Sequence, residues 1–252
     1  MYKYIEYTRN EGIATISLDR AEAANSLDHL ILGELLHITT ELSQDDAVTA
    51  VILTANGRFF SAGGDLKAIA KHESRAAYIA ELARMAGAIV SNFTQMNPPV
   101  IVAVNGVATG AGLAFTLCGD IVLASEEASF CMAYTKIGLV PDAGTTFLLT
   151  QIVGLRKAKE LAILNTTLSA SEAESLGIIT KVVPKSQLLE EAKRIAELFT
   201  SRSTVAIGVT KRLMLAGCHQ TLDAQAAEET RAIALRARST ECVEMLDKFA
   251  SR

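Results

Sequence analysis

Two glycine-rich stretches of this 252-residue chain contain the residue types needed to present backbone N–H groups to a ligand. They are FSAGGDL at 60–66 and NGVATGAGL at 105–113, and each follows a segment predicted to be a strand. Small residues let a ligand approach the backbone, and a turn that leads into a helix leaves N–H groups without an internal partner. Two such amides that converge on one oxygen would form an oxyanion hole.

Neither stretch matches a nucleotide-phosphate motif. The second lacks the GxGxxG order and the acid that follows it in dinucleotide-binding proteins, and neither contains the GK[ST] of a P-loop. Taken separately, each stretch fits an ordinary tight turn as well as a ligand site. The sequence alone leaves both interpretations open.

The elements around these stretches alternate between strands and helices. Apolar runs predict strands at 13–18, 49–54, 100–104 and 121–124, while helical spacing of apolar residues predicts helices within 27–42 and 79–96. Continuous apolar strands need cover on both faces, which indicates an α/β layer architecture. Beyond about residue 187 the pattern is helical only, with candidates at 188–199, 205–215, 222–235 and 243–249.

Composition excludes several classes of partner. A net charge of -4 disfavours nucleic acid and anionic membranes, both of which attract strongly basic proteins. No apolar run approaches the roughly 20 residues of a membrane helix, and the N-terminus lacks a signal-peptide core. The four cysteines show no zinc spacing. We therefore expect a cytoplasmic protein with reduced thiols and no metal site.

Several further motifs occur in a fixed order with the two glycine-rich stretches. They are LDR at 18–20, AVNG at 103–106, CGDI at 118–121, PDAGTT at 141–146, SEA at 171–173 and VVP at 182–184. Together they closely resemble the crotonase (enoyl-CoA hydratase/isomerase) superfamily over nearly the whole chain. The active-site pattern is most similar to that of the enoyl-CoA isomerases that use a single aspartate.

This resemblance implies a fold and an assembly. The expected fold class is α/β, a crotonase-like right-handed spiral of ββα turns with a helical C-terminal region. The resemblance places the spiral core and acyl-CoA site in residues 1–195 and a helical trimerisation region in 196–252. It also implies a homotrimer or a hexamer.

The resemblance further implies an acyl-CoA site. The thioester oxygen would lie between the N–H groups of Gly64 and Ala111. Ala62 would line the path of the CoA, and Lys67 would approach a CoA phosphate, although a solvated surface lysine is equally compatible with the sequence. Coenzyme A would be part of the substrate, with no separate cofactor.

The two acids that the family's hydratases use are absent. Their positions hold Ala114 and Tyr134. Adding water to a double bond requires a base and an acid, and an alanine and a phenol with an ordinary pKa near 10 replace them poorly. A standard hydratase is therefore not expected.

One carboxylate, that of Asp142, remains where the family has its chemistry. Several enoyl-CoA isomerases have their base here, and the isomerase that rearranges a ring epoxide in phenylacetate breakdown has a similar Pro-Asp-Ala-Gly run. We expect Asp142 to move a proton from the α-carbon to the γ-carbon of an enoyl-CoA. The same aspartate would also make a good helix N-cap. Tyr134 is expected either to face the same pocket, where it would shape the acyl site or donate a hydrogen bond, or to lie in the core with its hydroxyl satisfied.

Three alternatives stay open. Asp142 could be a nucleophile, as in the family's aryl-CoA dehalogenases, although those enzymes have a tryptophan at the position of Tyr134 and this chain has no Trp. The protein could also be a hydratase with atypical catalytic groups. Finally, it could be a non-catalytic acyl-CoA binder.

Overall fold

The structure, a computed structural model, describes residues 2–251, in which ten strands form two sheets. The strands are β1 (Ile5–Asn10), β2 (Ile13–Leu18), β3 (Ala50–Ala55), β4 (Phe59–Ser61), β5 (Val100–Val104), β6 (Val107–Thr109), β7 (Ile121–Ser125), β8 (Ser129–Cys131), β9 (Leu168–Ser169) and β10 (Lys181–Val183). The helices are α1 (His29–Leu42), α2 (Leu66–Lys71), α3 (Arg75–Gln95), α4 (Ala111–Leu117), α5 (Thr145–Leu164), α6 (Ala170–Ser175), α7 (Leu188–Glu197), α8 (Thr204–Gly217), α9 (Leu222–Ala237) and α10 (Thr240–Ala250).

The larger sheet has six strands in the order β1-β2-β3-β5-β7-β10. Only β1 and β2 are antiparallel; the other neighbours pair in parallel. All residues of β3 and β5 are buried, as continuous apolar runs require. The strands predicted at 13–18 and 100–104 have the observed bounds, and the α/β prediction is confirmed.

The smaller sheet has the order β4-β6-β8-β9 and was not predicted. Its strands have at most three residues, which is too short for a periodic pattern. The strand pairs β3/β4, β5/β6 and β7/β8 each place the first strand in the large sheet and the second in the small one, and a helix follows each pair. This repetition is the spiral of ββα turns expected from the sequence.

Helices α1 and α3 pack against each other and cover the core. The carboxylate of Asp28 caps α1 by accepting hydrogen bonds from the N–H groups of Leu30 and Ile31. On α3, the side chains buried at helical spacing include Leu82 and Ile89. Each fully buried side chain of this size contributes about 1.5–3 kcal/mol. The predicted apolar face of α3 is therefore confirmed, and so is that of α1 except at Leu30, which is exposed.

An ion pair attaches α8 to the core. The Lys211 ammonium lies 2.6 Å from the Asp120 carboxylate and donates to the carbonyls of Phe93 and Pro98. Asp120 also accepts a 2.7 Å hydrogen bond from the N–H of Val100. Burial raises the pKa of Asp120, and the Lys211 charge acts in the opposite direction.

Helices α9 and α10 bury none of their described residues within one chain. Their exposed apolar side chains include Leu222, Ile233 and Phe249. The expected boundary at 195/196 falls near the end of α7, and the assignment of 196–252 to trimerisation stays a prediction. Among residues 2–251, no helix is both long and apolar enough to cross a membrane.

The closest contact between the two glycine-rich stretches requires glycine at position 112. A Cβ on Gly112 would lie 2.5 Å from the carbonyl oxygen of Ser61 and 2.8 Å from its Cβ. Neither backbone can move away easily, because Ser61 ends β4 and Gly112 lies inside α4. The small sheet therefore packs against α4 at backbone distance.

We predict that Gly112→Ala destabilises the protein by about 1–3 kcal/mol, the usual cost of overpacking a core. Urea unfolding followed by circular dichroism would measure the change. Gly87→Ala is the matched control, because no atom lies within 4 Å of its added Cβ and the residue lies within helix α3. That control should stabilise by about 0.5–1 kcal/mol through helix propensity. Equal effects of the two substitutions would contradict the close approach.

Candidate active site

Three loops meet at one edge of the small sheet. Strands β4, β6 and β8 run parallel, with Phe59 paired to Val107 and Val107 paired to Ser129. Their carboxyl ends therefore lie side by side. The loop after β4 contains Gly64, the loop after β6 leads to Ala111, and the chain after β8 leads to Tyr134. Residues far apart in sequence are brought together by this parallel pairing.

The first two loops touch through Gly63. Its φ of +81° is left-handed, and a Cβ there would lie 2.7 Å from the Thr109 carbonyl oxygen and 3.4 Å from the Ala111 nitrogen. A side chain would both strain the backbone and separate the loops. Glycine at 63 therefore allows the amides of Gly64 and Ala111 to lie near each other.

Hydrogen bonds hold the first loop in place from the opposite side. The Leu27 N–H donates to the Gly63 carbonyl, and the Asp65 N–H donates to the Leu27 carbonyl. These two bonds fix the backbone on both sides of Gly64. The two bonds involve the carbonyl of Gly63 and the N–H of Asp65, and neither involves the N–H of Gly64.

Arg20 and Asp65 hold this loop further. Arg20 lies 2.9 Å from the Asp65 carboxylate and 3.3 Å from that of Asp28. Asp65 also caps α2 by accepting from the N–H groups of Lys67 and Ala68. Burial opposes ionisation of Asp65, but the hydrogen bonds from Ala68 and Arg20 hold its pKa below the ordinary value. The carboxylate therefore stays charged and keeps the loop fixed.

Gly64 and Ala111 are the two residues predicted to form the oxyanion hole. Within residues 2–251, neither N–H donates a hydrogen bond to a protein acceptor. Ala111 is the first residue of α4, so its N–H has no partner within the helix. Both residues line the same cavity. Two unused amides at a cavity wall can bind an oxygen that gains negative charge.

Tyr134 and Asp142 form the acidic part of the site. The Tyr134 hydroxyl donates to Oδ1 of Asp142 over 2.6 Å. Burial raises the pKa of Asp142, and the hydrogen bond from Tyr134 acts against that rise. Burial, together with the Asp142 charge, also raises the pKa of Tyr134. The phenol therefore stays protonated at neutral pH and donates its hydrogen bond to the Asp142 carboxyl.

Strained backbone flanks this pair on both sides. Ala133 precedes Tyr134 with a φ of 57°, and Ala143 follows Asp142 with a φ of 50°. An alanine in the left-handed region costs on the order of 1 kcal/mol. The surrounding structure holds both residues there, and in this conformation the chain directs Tyr134 and Asp142 at each other.

A cavity of about 290 Å³ contains the site. Its apolar walls come from α1, α2 and α3, and include Leu32, Ile69 and Leu82. Among the residues that line it, the charged side chains are those of Asp142 and Lys136. The cavity therefore suits an apolar group held next to one carboxylate.

The predicted site residues are distributed as follows. Ala62, Gly64, Ala111, Tyr134 and Asp142 all line the cavity, and Lys67 does not. Lys67 lies exposed in the first turn of α2, and its approach to a CoA phosphate stays a prediction. Asp142 is not a helix cap, because the N-cap of α5 is Gly144. The capping interpretation of Asp142 is therefore wrong.

Two kinds of functional residue were missed from the sequence. Lys136 lines the cavity through a short 3-10 turn at Thr135–Ile137, for which the sequence has no periodic signal. Arg20 belongs to the LDR motif, but its contact with Asp65 spans 45 residues and has no local signal. Among the described residues, no group of three His, Cys, Asp or Glu side chains is arranged to hold a metal ion.

Comparison with known proteins agrees with this geometry. The family model for enoyl-CoA hydratase/isomerase matches residues 8–251. The 1,2-epoxyphenylacetyl-CoA isomerase of Escherichia coli (strain K12) is 33% identical over 254 residues, covering 100% of this chain and 97% of that protein. The 4-chlorobenzoyl coenzyme A dehalogenase-1 of an Arthrobacter species is 29% identical over 253 residues, covering 99% and 91%.

A solved structure shows the same fold. The crystal structure of an enoyl-CoA hydratase from Bacillus anthracis superposes with a TM-score of 0.93 at 31% identity, covering 99% of this chain and 96% of that one. The family match extends over nearly the whole chain and includes every element that builds the site. This chain belongs to the enoyl-CoA hydratase/isomerase family of the crotonase superfamily.

Proposed function

We propose that this protein is an enoyl-CoA isomerase that shifts a double bond with Asp142 as its single base. The observation that carries the proposal is the combination of one carboxylate and two unused backbone amides in the cavity. Asp142 is the one carboxylate among the lining residues, and the same cavity is lined by the two residues with unused amides, Gly64 and Ala111. That set provides for proton transfer and enolate stabilisation.

The proposed reaction needs no group beyond these and the CoA of the substrate. Asp142 takes the α-proton of a β,γ-unsaturated acyl-CoA, and the electrons of the broken C–H bond form an enolate. The amides of Gly64 and Ala111 bind the enolate oxygen. The protonated Asp142 then returns the proton to the γ-carbon. Each oxyanion donor is worth about 2.7–4 kcal/mol of barrier.

The positions of the hydratase acids argue against water addition. Ala114 is fully buried and does not line the cavity. Tyr134, at the second position, has a raised pKa and cannot serve as a base at neutral pH. With Asp142 as the one carboxylate among the lining residues, the pair of acids that the family's hydratases use is incomplete.

A ring epoxide of an arylacetyl-CoA is a second candidate substrate. A relative at 33% identity is, by its name, an isomerase of 1,2-epoxyphenylacetyl-CoA. The observation that favours it is the hydrogen-bonded Tyr134–Asp142 pair in the cavity, since opening an epoxide requires a proton donor near its oxygen and this pair shares a proton. Both candidate substrates are isomerised without a co-reactant.

We also propose assembly into a homotrimer or hexamer. Its support is the exposed apolar side chains of α9 and α10, such as Ile233 and Phe249. Packing these two helices against another subunit would remove these side chains from water.

We predict that Asp142→Asn lowers the rate of isomerisation by about 10²- to 10⁴-fold, the usual contribution of a catalytic base. Purified protein would be incubated with 3-hexenoyl-CoA in D₂O, with mass and ultraviolet detection of the conjugated thioester. Binding of hexanoyl-CoA should be unchanged, because the amides remain. Asp46→Asn, at an exposed position, is the matched control and should keep full activity. Unchanged turnover in Asp142→Asn, or a hydrated product from the wild type, would refute the proposal.

We also predict that Asp142→Asn changes how stability depends on pH. Because burial raises the pKa of Asp142 in the folded protein, its contribution to stability is fully present below the ordinary aspartate pKa of about 3.9. That contribution is lost as the pH rises through the folded-state pKa. The stability of the variant relative to wild type should therefore increase from about pH 4 to about pH 7. Urea unfolding at both pH values tests this, and a difference independent of pH would contradict it.

A further inference from the structure

The two oxygens of the Asp142 carboxylate have different surroundings. Oδ1 accepts the 2.6 Å hydrogen bond from Tyr134, and no hydrogen bond from another described residue reaches Oδ2. Thr145, which is fully buried, fixes the backbone of Asp142 by donating to its carbonyl over 2.7 Å. The carboxylate is thus held at one oxygen and at its own backbone.

The ring of Tyr134 has little freedom to leave this position. The residue is only 8% exposed, and a Cβ on Gly110 would lie 3.9 Å from Cζ of the ring. The left-handed Ala133 fixes the direction in which the chain enters the residue. The loop that precedes Ala111 therefore packs against the same ring whose hydroxyl contacts Asp142.

We propose that Tyr134 is a positioning residue for Asp142, whose hydroxyl fixes Oδ1 and leaves Oδ2 to accept the proton of the substrate. This inference rests on the proposed function. It gives Tyr134 a specific role in addition to lining the cavity. Holding one oxygen restricts rotation of the carboxylate, so the free oxygen points in one direction during both proton transfers.

The same hydrogen bond opposes the rise that burial causes in the pKa of Asp142. Hydrogen bonds to the charged form of a carboxylate lower its pKa and oppose the effect of burial. The residues of α1, α2 and α3 that line the cavity are apolar, so the titratable groups that line it with Asp142 are Tyr134 and Lys136. Lys136 is therefore the other residue of the cavity whose charge would favour the ionised form of Asp142.

The test measures the titration of Asp142 directly, without turnover. Protein labelled with ¹³C at the aspartate carboxyls would be titrated by NMR, and Asp142 would be assigned from the signal lost in Asp142→Asn. In Tyr134→Phe, which removes only the hydroxyl, we expect the pH at the titration midpoint of the Asp142 carboxyl to rise. Fluorotyrosine at position 134, a stronger donor, should lower it below the wild-type value. Tyr7→Phe, at a tyrosine outside the cavity, should not change it.

The kinetic profile provides the second readout. Tyr134→Phe should move the acid limb of kcat/KM to higher pH and lower kcat at the plateau by about 10- to 100-fold, with KM little changed. An unchanged titration midpoint of Asp142 in both Tyr134 variants would overturn the proposal. A rise of that midpoint in Lys136→Met, with no rise in Tyr134→Phe, would overturn it as well. If the midpoint moves as expected but no variant or wild type isomerises the substrate, the positioning role stands and the proposed function falls.

Discussion

The site depends on the parallel pairing of three very short strands, β4, β6 and β8. Parallel neighbours end at the same edge of a sheet, so the residues that follow them share one small volume. Gly64, Ala111 and Tyr134 come from three successive turns of the spiral and meet for this reason. Strands of three residues contribute few hydrogen bonds of their own, so the six-stranded sheet, with its fully buried strands β3 and β5, supplies the rigidity.

Keeping two amides unused at a cavity wall requires support from neighbouring residues. Around Gly64 the adjacent polar groups bind Leu27, and the Arg20–Asp65 ion pair fixes the start of α2. Around Ala111 the start of a helix leaves the N–H unpaired. Fixed dipoles of this kind stabilise a developing negative charge without reorganising during the reaction. The glycines at 63 and 112 matter because they let these two supported segments approach.

Stability and chemistry make opposite demands on Asp142. Burial disfavours the charged carboxylate, and two strained alanines flank the pair that it forms with Tyr134. A solvent-exposed aspartate would destabilise the folded state less. Its pKa, however, would be too low for it to act as a good base near neutral pH. The tyrosine moderates the conflict, because its hydrogen bond stabilises the charged form of the carboxylate and opposes the rise in pKa that burial causes.

The sequence by itself determined the elements with a periodic signal and the local chemistry. Residues adjacent in the chain were enough to predict strands β2 and β5 and the apolar faces of α1 and α3. The glycine-rich stretches and the family were recognised from short motifs in the same way. Only the tertiary structure decided that Tyr134 donates to Asp142, that Lys136 lines the cavity and that Arg20 holds the loop at Asp65. These contacts depend on how separate turns of the spiral pack, and no local pattern of residues encodes a distance between two loops.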